Sequence, residues 1–280
     1  MSVERTWADL HRSALARLGS AQEARWLVEE ASGAGWPACS ERPASPRQAA
    51  RLGAMVARRA GGEPIQYVLG SWGFRQLDLL VDRRVLIPRP ETEVLAGVAL
   101  ELIAPLAAPL AADLGTGSGA IALSLAAEHP GVQVFGTDVS PAALDVARAN
   151  AAGLGGRAAT RVRYLHGSWW AALPDELRGS LDLVVSNPPY LSAAELLAAD
   201  ASVRDWEPPA ALASGPTGTE ALAEVVAGAP DWLKPSGAVV VELAPPQVPA
   251  VASVARGAGL RDVEVRADLS GRDRVLVARR

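Results

Sequence analysis

The sequence predicts an α/β protein, a doubly wound and mostly parallel seven-stranded sheet preceded by a small N-terminal helical bundle. Three observations carry that expectation. Apolar Ala111-Ala112 lead through Asp113-Leu114 into a loop with glycines at 115, 117 and 119, and a helix-forming run follows from Ala120 to Ala127. From there to the end of the chain, strand-like and helix-like segments alternate. The first sixty residues, by contrast, carry helical spacing and helix caps.

The bundle reads in order. Trp7, Leu10, Ala14 and Leu18 fall at helical spacing, and Gly19 stops the run. Ser20 with Glu23 has the form of a capping box before Ala24, Leu27, Val28 and Ala31, and Gly33 closes that helix. Residues Trp36 to Pro43 read as a Pro-containing loop. Ser45, Pro46 at the first helical position and Gln48 then open a helix carrying Leu52, Met55 and Val56, which ends at Gly61-Gly62.

Next, Phe74–Val81 and Arg84–Ile87 read as the strands of a hairpin turning near Asp82-Arg83. The hairpin delivers Pro88-Arg89-Pro90-Glu91-Thr92-Glu93, in which two prolines flanking an arginine make a stiff loop suited to one wall of a site. The expected organisation is a helical domain over residues 1–73, a hairpin and Pro-Arg-Pro linker over 74–93, and an α/β domain over 94–280. The apolar stretch from Val94 to Ala112 carries Glu101, Pro105 and Pro109. It is therefore expected to be a helix packed on the sheet followed by the first strand, and not a membrane span.

Further strands are expected at Val132–Thr137, Arg161–Leu165, Leu181–Ser186, Gly237–Leu243, Asp262–Ala267 and Arg274–Ala278. Helices are expected at Ala142–Ala151, Glu220–Ala227 and Pro246–Ala258. The last two strands read as an antiparallel edge pair. The glycine loop, Asp138 and Asn187 would all lie at carboxyl ends of strands and converge on one crevice.

Composition narrows the function classes. With 49% hydrophobic and 21% charged residues, the chain of 280 is an ordinary globular protein long enough to bury a sizeable core. Its net charge of −4 argues against wholesale binding to nucleic acid. The charge is unevenly split, +2 over residues 1–78 and −6 over the remainder, so the helical part is the one expected to meet an acidic partner. A single cysteine, Cys39, cannot form an internal disulfide, and the first residues lack the apolar core of a signal peptide. The expected compartment is the cytoplasm. His11, His129 and His166 are scattered without metal-binding spacing, so no metal site is expected.

The candidate chemistry sits in two motifs. Spaced G-x-G-x-G, the loop departs from the G-x-G-x-x-G dinucleotide fingerprint, which makes a nicotinamide cofactor the weaker reading. Asp138 ends the next strand, where a ribose diol would be gripped, and Ser140-Pro141 supplies the helix cap that Asp138 would otherwise provide. Ser186-Asn187-Pro188-Pro189-Tyr190 follows the apolar run Leu181–Val185. A turn alone would explain Asn and Pro there. Combined with the glycine loop, the motif points to methyl transfer onto a planar nitrogen. The Asn187 side-chain carbonyl and the backbone carbonyls preceding Pro188 can accept the two N–H bonds of one NH2 group, and Tyr190 can stack on the group that carries it.

With these residues in one crevice, the chain resembles the class I S-adenosylmethionine-dependent methyltransferases, with their Rossmann-like fold. It is more closely similar to the HemK family of peptide-chain release factor glutamine methyltransferases. That resemblance runs through Glu63-Pro64-Ile65-Gln66-Tyr67 with Gly70 and Phe74, Leu86 to Glu93, Asp113 to Gly119, Asn187 to Tyr190, and Glu207-Pro208 with Gly215. Arg89-Pro90-Glu91-Thr92-Glu93 has the release-factor form, as distinct from the related enzymes of ribosomal proteins.

The resemblance implies S-adenosylmethionine as cofactor, with Gly115, Thr116, Gly117, Ser118 and Gly119 around its methionine end, Asp138 on the ribose and Trp169 lining the adenine. It implies that Asn187 and Pro188 hold a glutamine amide, with Pro189 and Tyr190 beside it. The implied substrate is the glutamine of a Gly-Gly-Gln loop in bacterial class 1 release factors, whose body the helical domain would recognise. Neither direct nucleic-acid binding nor a membrane is implied. The sequence departs from the family at Ser168, at Ala244 and in Arg204-Asp205-Trp206-Glu207. Three rival readings remain: an adenine-N6 or other nucleic-acid amino methyltransferase, a glutamine methyltransferase of a ribosomal protein, and a cofactor-binding scaffold without activity.

Overall fold

The computed structural model describes residues 5–280, which divide into two compact units. The first comprises the described residues up to Ser71 together with Asp200–Trp206, and the second comprises Trp72–Ala199 and Glu207–Arg280.

The helical unit contains α1 (Trp7–Leu18), α2 (Ala21–Ser32), α3 (Trp36–Cys39), α4 (Pro46–Ala60) and α5 (Ile65–Leu69). Gly19 and Gly33 end the first two helices in left-handed backbone, as their sequence positions predict. The Ser45/Gln48 capping box forms in both directions. At Ser20 only the serine half forms, its hydroxyl accepting from Glu23 N. An additional box at Thr6/Asp9 opens α1. The expected loop at 36–43 instead begins with the single helical turn α3. Proline costs no hydrogen bond in a first turn, and Glu29 Oε1 accepts from Trp36 N at 2.8 Å. The unit closes around Trp7, Leu10, Leu27, Val28, Leu52 and Met55, with Cys39 buried among them as a free thiol.

The α/β unit opens with a hairpin whose register differs from the expected one. Its strands are β1 (Ser71–Phe74) and β2 (Leu77–Leu80), turning at Arg75-Gln76, while residues 84–87 form no strand. A turn does occur at 82–85, where Val85 N donates to Asp82 O, but it joins β2 to an irregular segment. No Gly, Asn or Pro marks the real turn. Arg75 occupies it at φ 52, held by its ion pair with Glu128 and by hydrogen bonds to Glu93. These long-range partners offset the cost of left-handed backbone, and no local signal announces them.

The chain then runs through α6 (Pro90–Ile103), β3 (Leu110–Leu114), α7 (Ala120–Glu128), β4 (Gln133–Asp138), α8 (Pro141–Leu154), α9 (Gly156–Ala159), β5 (Val162–His166) and β6 (Leu181–Ser186). After β6 come α10 (Ala193–Ala198) and α11 (Ala201–Arg204), the latter belonging to the helical unit. The rest is α12 (Glu220–Trp232), β7 (Leu233–Glu242), α13 (Val248–Gly257), β8 (Arg261–Ala267) and β9 (Asp273–Arg279). The seven-stranded sheet has the order β5-β4-β3-β6-β7-β9-β8. Its first five strands are parallel, and β9 pairs antiparallel with both β7 and β8.

Both faces of the central strands are buried, as near-continuous apolar strands demand. Val184, Val239 and Val241 point into a core with Leu222, Val225 and Trp232 of α12. Their neighbours Leu183, Val185 and Val240 point the other way, onto Leu95 and Val98 of α6 and onto Ile121 and Leu125 of α7. From β3 the chain winds outward through β4 and β5, then returns to β6 on the other side of β3. That reversal opens a crevice at the carboxyl ends of β3 and β6, which carry the glycine loop and the Asn-Pro-Pro-Tyr motif.

Candidate active site

The glycine loop hangs from the end of β3. Gly115 N and Thr116 N both donate to Thr137 O of β4, at 2.9 and 2.8 Å. Thr116 Oγ1 and Ala122 N donate to Oδ2 of Asp113, which is fully buried. Burial pushes the Asp113 carboxyl up to about 7, and its Oδ1 has no hydrogen-bond partner among the described residues. Two glycines combine a positive φ with a close side chain. Gly115, at φ 75, lies against the Trp169 ring, which a Cβ would meet at 3.2 Å. Gly119, at φ 82, begins α7 where a Cβ would stand 2.8 Å from Tyr164 Oη.

Asp138, at the tip of β4, is tied to this loop. Its Oδ2 accepts from Gly117 N and its Oδ1 from Ser140 N, each at 2.9 Å. Ser140 caps α8 through Ala143 N, as its sequence position predicts. Asp138 thus braces the glycine loop as well as facing the crevice, and each oxygen keeps a second lone pair for a ligand. Burial is the main cause that raises its carboxyl above the ordinary range. Trp169 adopts φ 39 at the start of a 3-10 turn. That conformation sets its ring beside Gly115 and partly against the core around Leu173.

β6 ends at Ser186, whose hydroxyl donates to Leu114 O at 2.6 Å and so ties the two strand ends together. Asn187 follows. Its Nδ2 donates to Thr92 Oγ1 at 3.1 Å, and Thr92 Oγ1 donates to Glu242 Oε2 at 2.7 Å. Tyr190 Oη lies 3.5 Å from Glu242 Oε1, and the Tyr190 carbonyl accepts from Gln247 Nε2. Glu242 is buried at the end of β7, and desolvation pushes it up to about 7. The same cause pushes the Tyr190 phenol up to about 12.

These elements enclose a cavity of about 220 Å3. Of the residues that the sequence singles out, Gly115, Gly117, Asp138, Trp169, Asn187 and Pro189 line it together. Thr116, Ser118, Gly119, Pro188 and Tyr190 are not in its lining. The side chains of Thr116 and Ser118 are buried, and the Ser118 carbonyl accepts from Asn150. The outer wall is made of Arg84, Val85 and Leu86 with Pro208, Ala210 and Ala211. Glu207, almost wholly buried, fixes the two halves of that wall, accepting from Ile87 N at 3.1 Å and pairing with Arg89. Sequence reasoning gave Thr92, Glu242 and Glu207 no role of their own. Thr92 and Glu207 entered only as part of the family resemblance, and Glu242 only near the end of an expected strand.

The cavity suits an amphipathic ligand. Apolar walls (Val85, Val139, Ala143, Trp169) oppose polar atoms of Asp138, Ser140 and Asn187, and a Cβ at Gly117 would have no protein atom within 4 Å. Among the described residues, no group of three or more His, Cys, Asp or Glu could hold a metal, and no helix is long and apolar enough to cross a membrane.

Comparisons with known proteins agree with the geometry. Residues 97–203 match the family model "Methyltransferase small domain", and residues 9–70 match "PrmC N-terminal domain". Among solved structures, a methyltransferase from Pyrococcus furiosus superposes with TM-score 0.52 at 17% identity, covering 84% of this chain and 98% of that one. The hMettl16 catalytic domain in complex with a MAT2A 3′UTR hairpin gives 0.57 at 15% identity, covering 84% and 81%. At such identities these two likenesses speak for the fold alone. The chain is 43% identical to the release factor glutamine methyltransferase of Cereibacter sphaeroides, over 85% of this chain and 82% of that one. It is also 43% identical to the one from Bordetella pertussis, over 90% and 92%. With this identity over most of both chains, the protein belongs to the release factor glutamine methyltransferase family.

Proposed function

We propose that the protein methylates the side-chain amide nitrogen (N5) of a glutamine in a peptide-chain release factor, using S-adenosyl-L-methionine. The substrate glutamine is that of the Gly-Gly-Gln loop of class 1 factors. The observation that carries this reading is the convergence of Asn187, the positive-φ glycine loop and Asp138 on one cavity at the sheet's switch point. S-adenosylmethionine, when bound, supplies an electrophilic methyl group on a cationic sulfur. The glycine loop takes its amino-acid end, Asp138 the ribose hydroxyls, and Trp169 with Val139 the adenine faces.

An amide nitrogen is a poor nucleophile because its lone pair is delocalised. Asn187 Oδ1 and the backbone carbonyl of Pro188 accept its two N–H bonds, which orients the lone pair along the line of attack. As the nitrogen becomes cationic those two hydrogen bonds strengthen, which favours the transition state over the bound substrate. The C–S bonding pair leaves with sulfur, and the methylated amide afterwards loses a proton to water. Alignment of this kind can supply about 7 to 11 kcal/mol. The helical unit, whose stretch of chain carries a net positive charge while the remainder is negative, recognises the body of the factor.

The test is transfer of labelled methyl from S-adenosylmethionine, offered in parallel to unmethylated release factor and to undermethylated DNA and RNA, with the product located by mass spectrometry. Label on the Gly-Gly-Gln glutamine is the expected result. Label confined to nucleic acid would overturn the substrate while keeping the motif's chemistry.

A further inference from the structure

The relay behind Asn187 has a fixed hydrogen-bond polarity. Ionised Glu242 can only accept, and Thr92 has one hydroxyl proton, given to Oε2 at 2.7 Å. The Thr92 oxygen must then accept, so Asn187 turns its amino group toward Thr92, at 3.1 Å, and leaves Oδ1 as its free end. A protonated Glu242 reverses the chain of donors. It can donate to Thr92, whose proton becomes available to Asn187 Oδ1, and the Asn187 amino group would then face the cavity. A substrate NH2 would meet a donor where it needs an acceptor.

We propose that Thr92 and Glu242 are positioning residues that hold Asn187 with its carbonyl toward the substrate amide, and that loss of the Glu242 charge turns that amide and stops transfer. The transfer half of this proposal rests on the function proposed above, whereas the orientation half does not. The groups facing Glu242 are Thr92 and Glu91 on α6, Tyr190 after β6, and Arg274 on β9. Arg274 favours the charged form and Glu91 the protonated one, while burial outweighs both and brings the switch to about 7. Arg274 also donates to Leu243 O and lies 3.8 Å from Asp268.

Three variants test this in the full-length protein. Thr92→Val keeps the shape and removes the relay. It should lower kcat about 10- to 100-fold, the range for losing a partner that orients a direct contact, with cofactor affinity and the KM for release factor little changed. Thr92→Ser should restore most of the rate. In wild type kcat should fall as pH drops through about 7. Glu242→Gln carries no charge at any pH, so its kcat should stay at the low, acid-side level throughout and show no acid limb. Independently of any substrate, the Asn187 side-chain 15NH2 resonance should move with pH in wild type and stay fixed in Glu242→Gln. Unchanged kcat in Thr92→Val, failure of Thr92→Ser to rescue, or an Asn187 resonance indifferent to pH would each overturn the proposal. If wild type transfers nothing to release factor while the resonance still titrates, the substrate reading fails and the relay stands.

Discussion

Asn187 is the residue whose role sequence reasoning could approach and whose support it could not. The meeting of Gly115, Gly117, Asp138, Asn187 and Pro189 at one cavity was legible because each lies at or after a strand end, and strand ends can be read from apolar runs, whereas Trp169 was reached only through the family resemblance. Thr92 and Glu242 lie 150 residues apart, and nothing local pairs them until α6 and β7 are brought to either side of the β6 terminus. The role of Asn187 has a measurable signature. Asn187→Ala removes one of two acceptors that strengthen in the transition state, so turnover should fall about 100- to 1,000-fold, as for loss of one such contact. Cofactor binding should be nearly untouched, because the glycine loop and Asp138 hold their places through Thr137, Ser140 and each other. Titration calorimetry beside single-turnover transfer separates the two effects. A variant that loses cofactor affinity as steeply as rate would mean that Asn187 serves the cofactor instead.

At the scale of elements, the alternating strands and helices were legible because α1, α2, α4 and α8 begin with a side-chain cap, and the central parallel strands β3, β4 and β6 are buried on both faces. The hairpin was not. Alternation from Phe74 to Val81 looked like one strand, yet Arg75 reverses the chain in a conformation that only its distant partners Glu93 and Glu128 sustain. The Pro88-Arg89-Pro90 loop was expected to form a stiff wall of the site, yet Pro90 opens α6 and the cavity is lined instead by Arg84, Val85 and Leu86, because stiffness does not say where a loop sits. Glu207 decides that, through Ile87 N and Arg89. Glu207→Ala leaves Ile87 N buried without its acceptor, and should cost about 1 to 3 kcal/mol of stability, the penalty for one orphaned buried group. Arg84→Ala removes an exposed pair with Asp82 and should stay within about 0.5 kcal/mol. Urea unfolding of both variants checks the contrast. Equal losses would mean that Glu207 contributes no more than a surface charge.

For the molecule as a whole, the crevice was legible once the strand order reversed between β3 and β6, since that reversal follows from winding a parallel sheet in both directions. The grouping of Asp200–Trp206 with the helical unit was not, because a short excursion between two sheet elements carries no sign of where it will pack. The same burial that builds the site leaves a mark on global stability. Asp113 and Glu242 are both pushed up to about 7 by desolvation, and Asp138 and Glu207 are raised for the same reason. A raised carboxyl keeps its proton in the folded protein after the unfolded chain has lost it. Its contribution is therefore fully present below the unfolded value, near 4, and is lost as pH rises through about 7. Carboxyls held low by hydrogen bonds, such as Asp82 and Asp268, act oppositely, and their contribution disappears only in more acidic solution. Stability should consequently be greatest near pH 5 and decline toward pH 8. Asp113→Asn and Glu242→Gln should each flatten that decline, because neither side chain can charge. Urea midpoints from pH 4 to 8 for the three proteins make the comparison. A wild-type midpoint that rises between pH 5 and 8, or a slope that neither substitution changes, would mean that the two buried carboxyls are not the groups that set it.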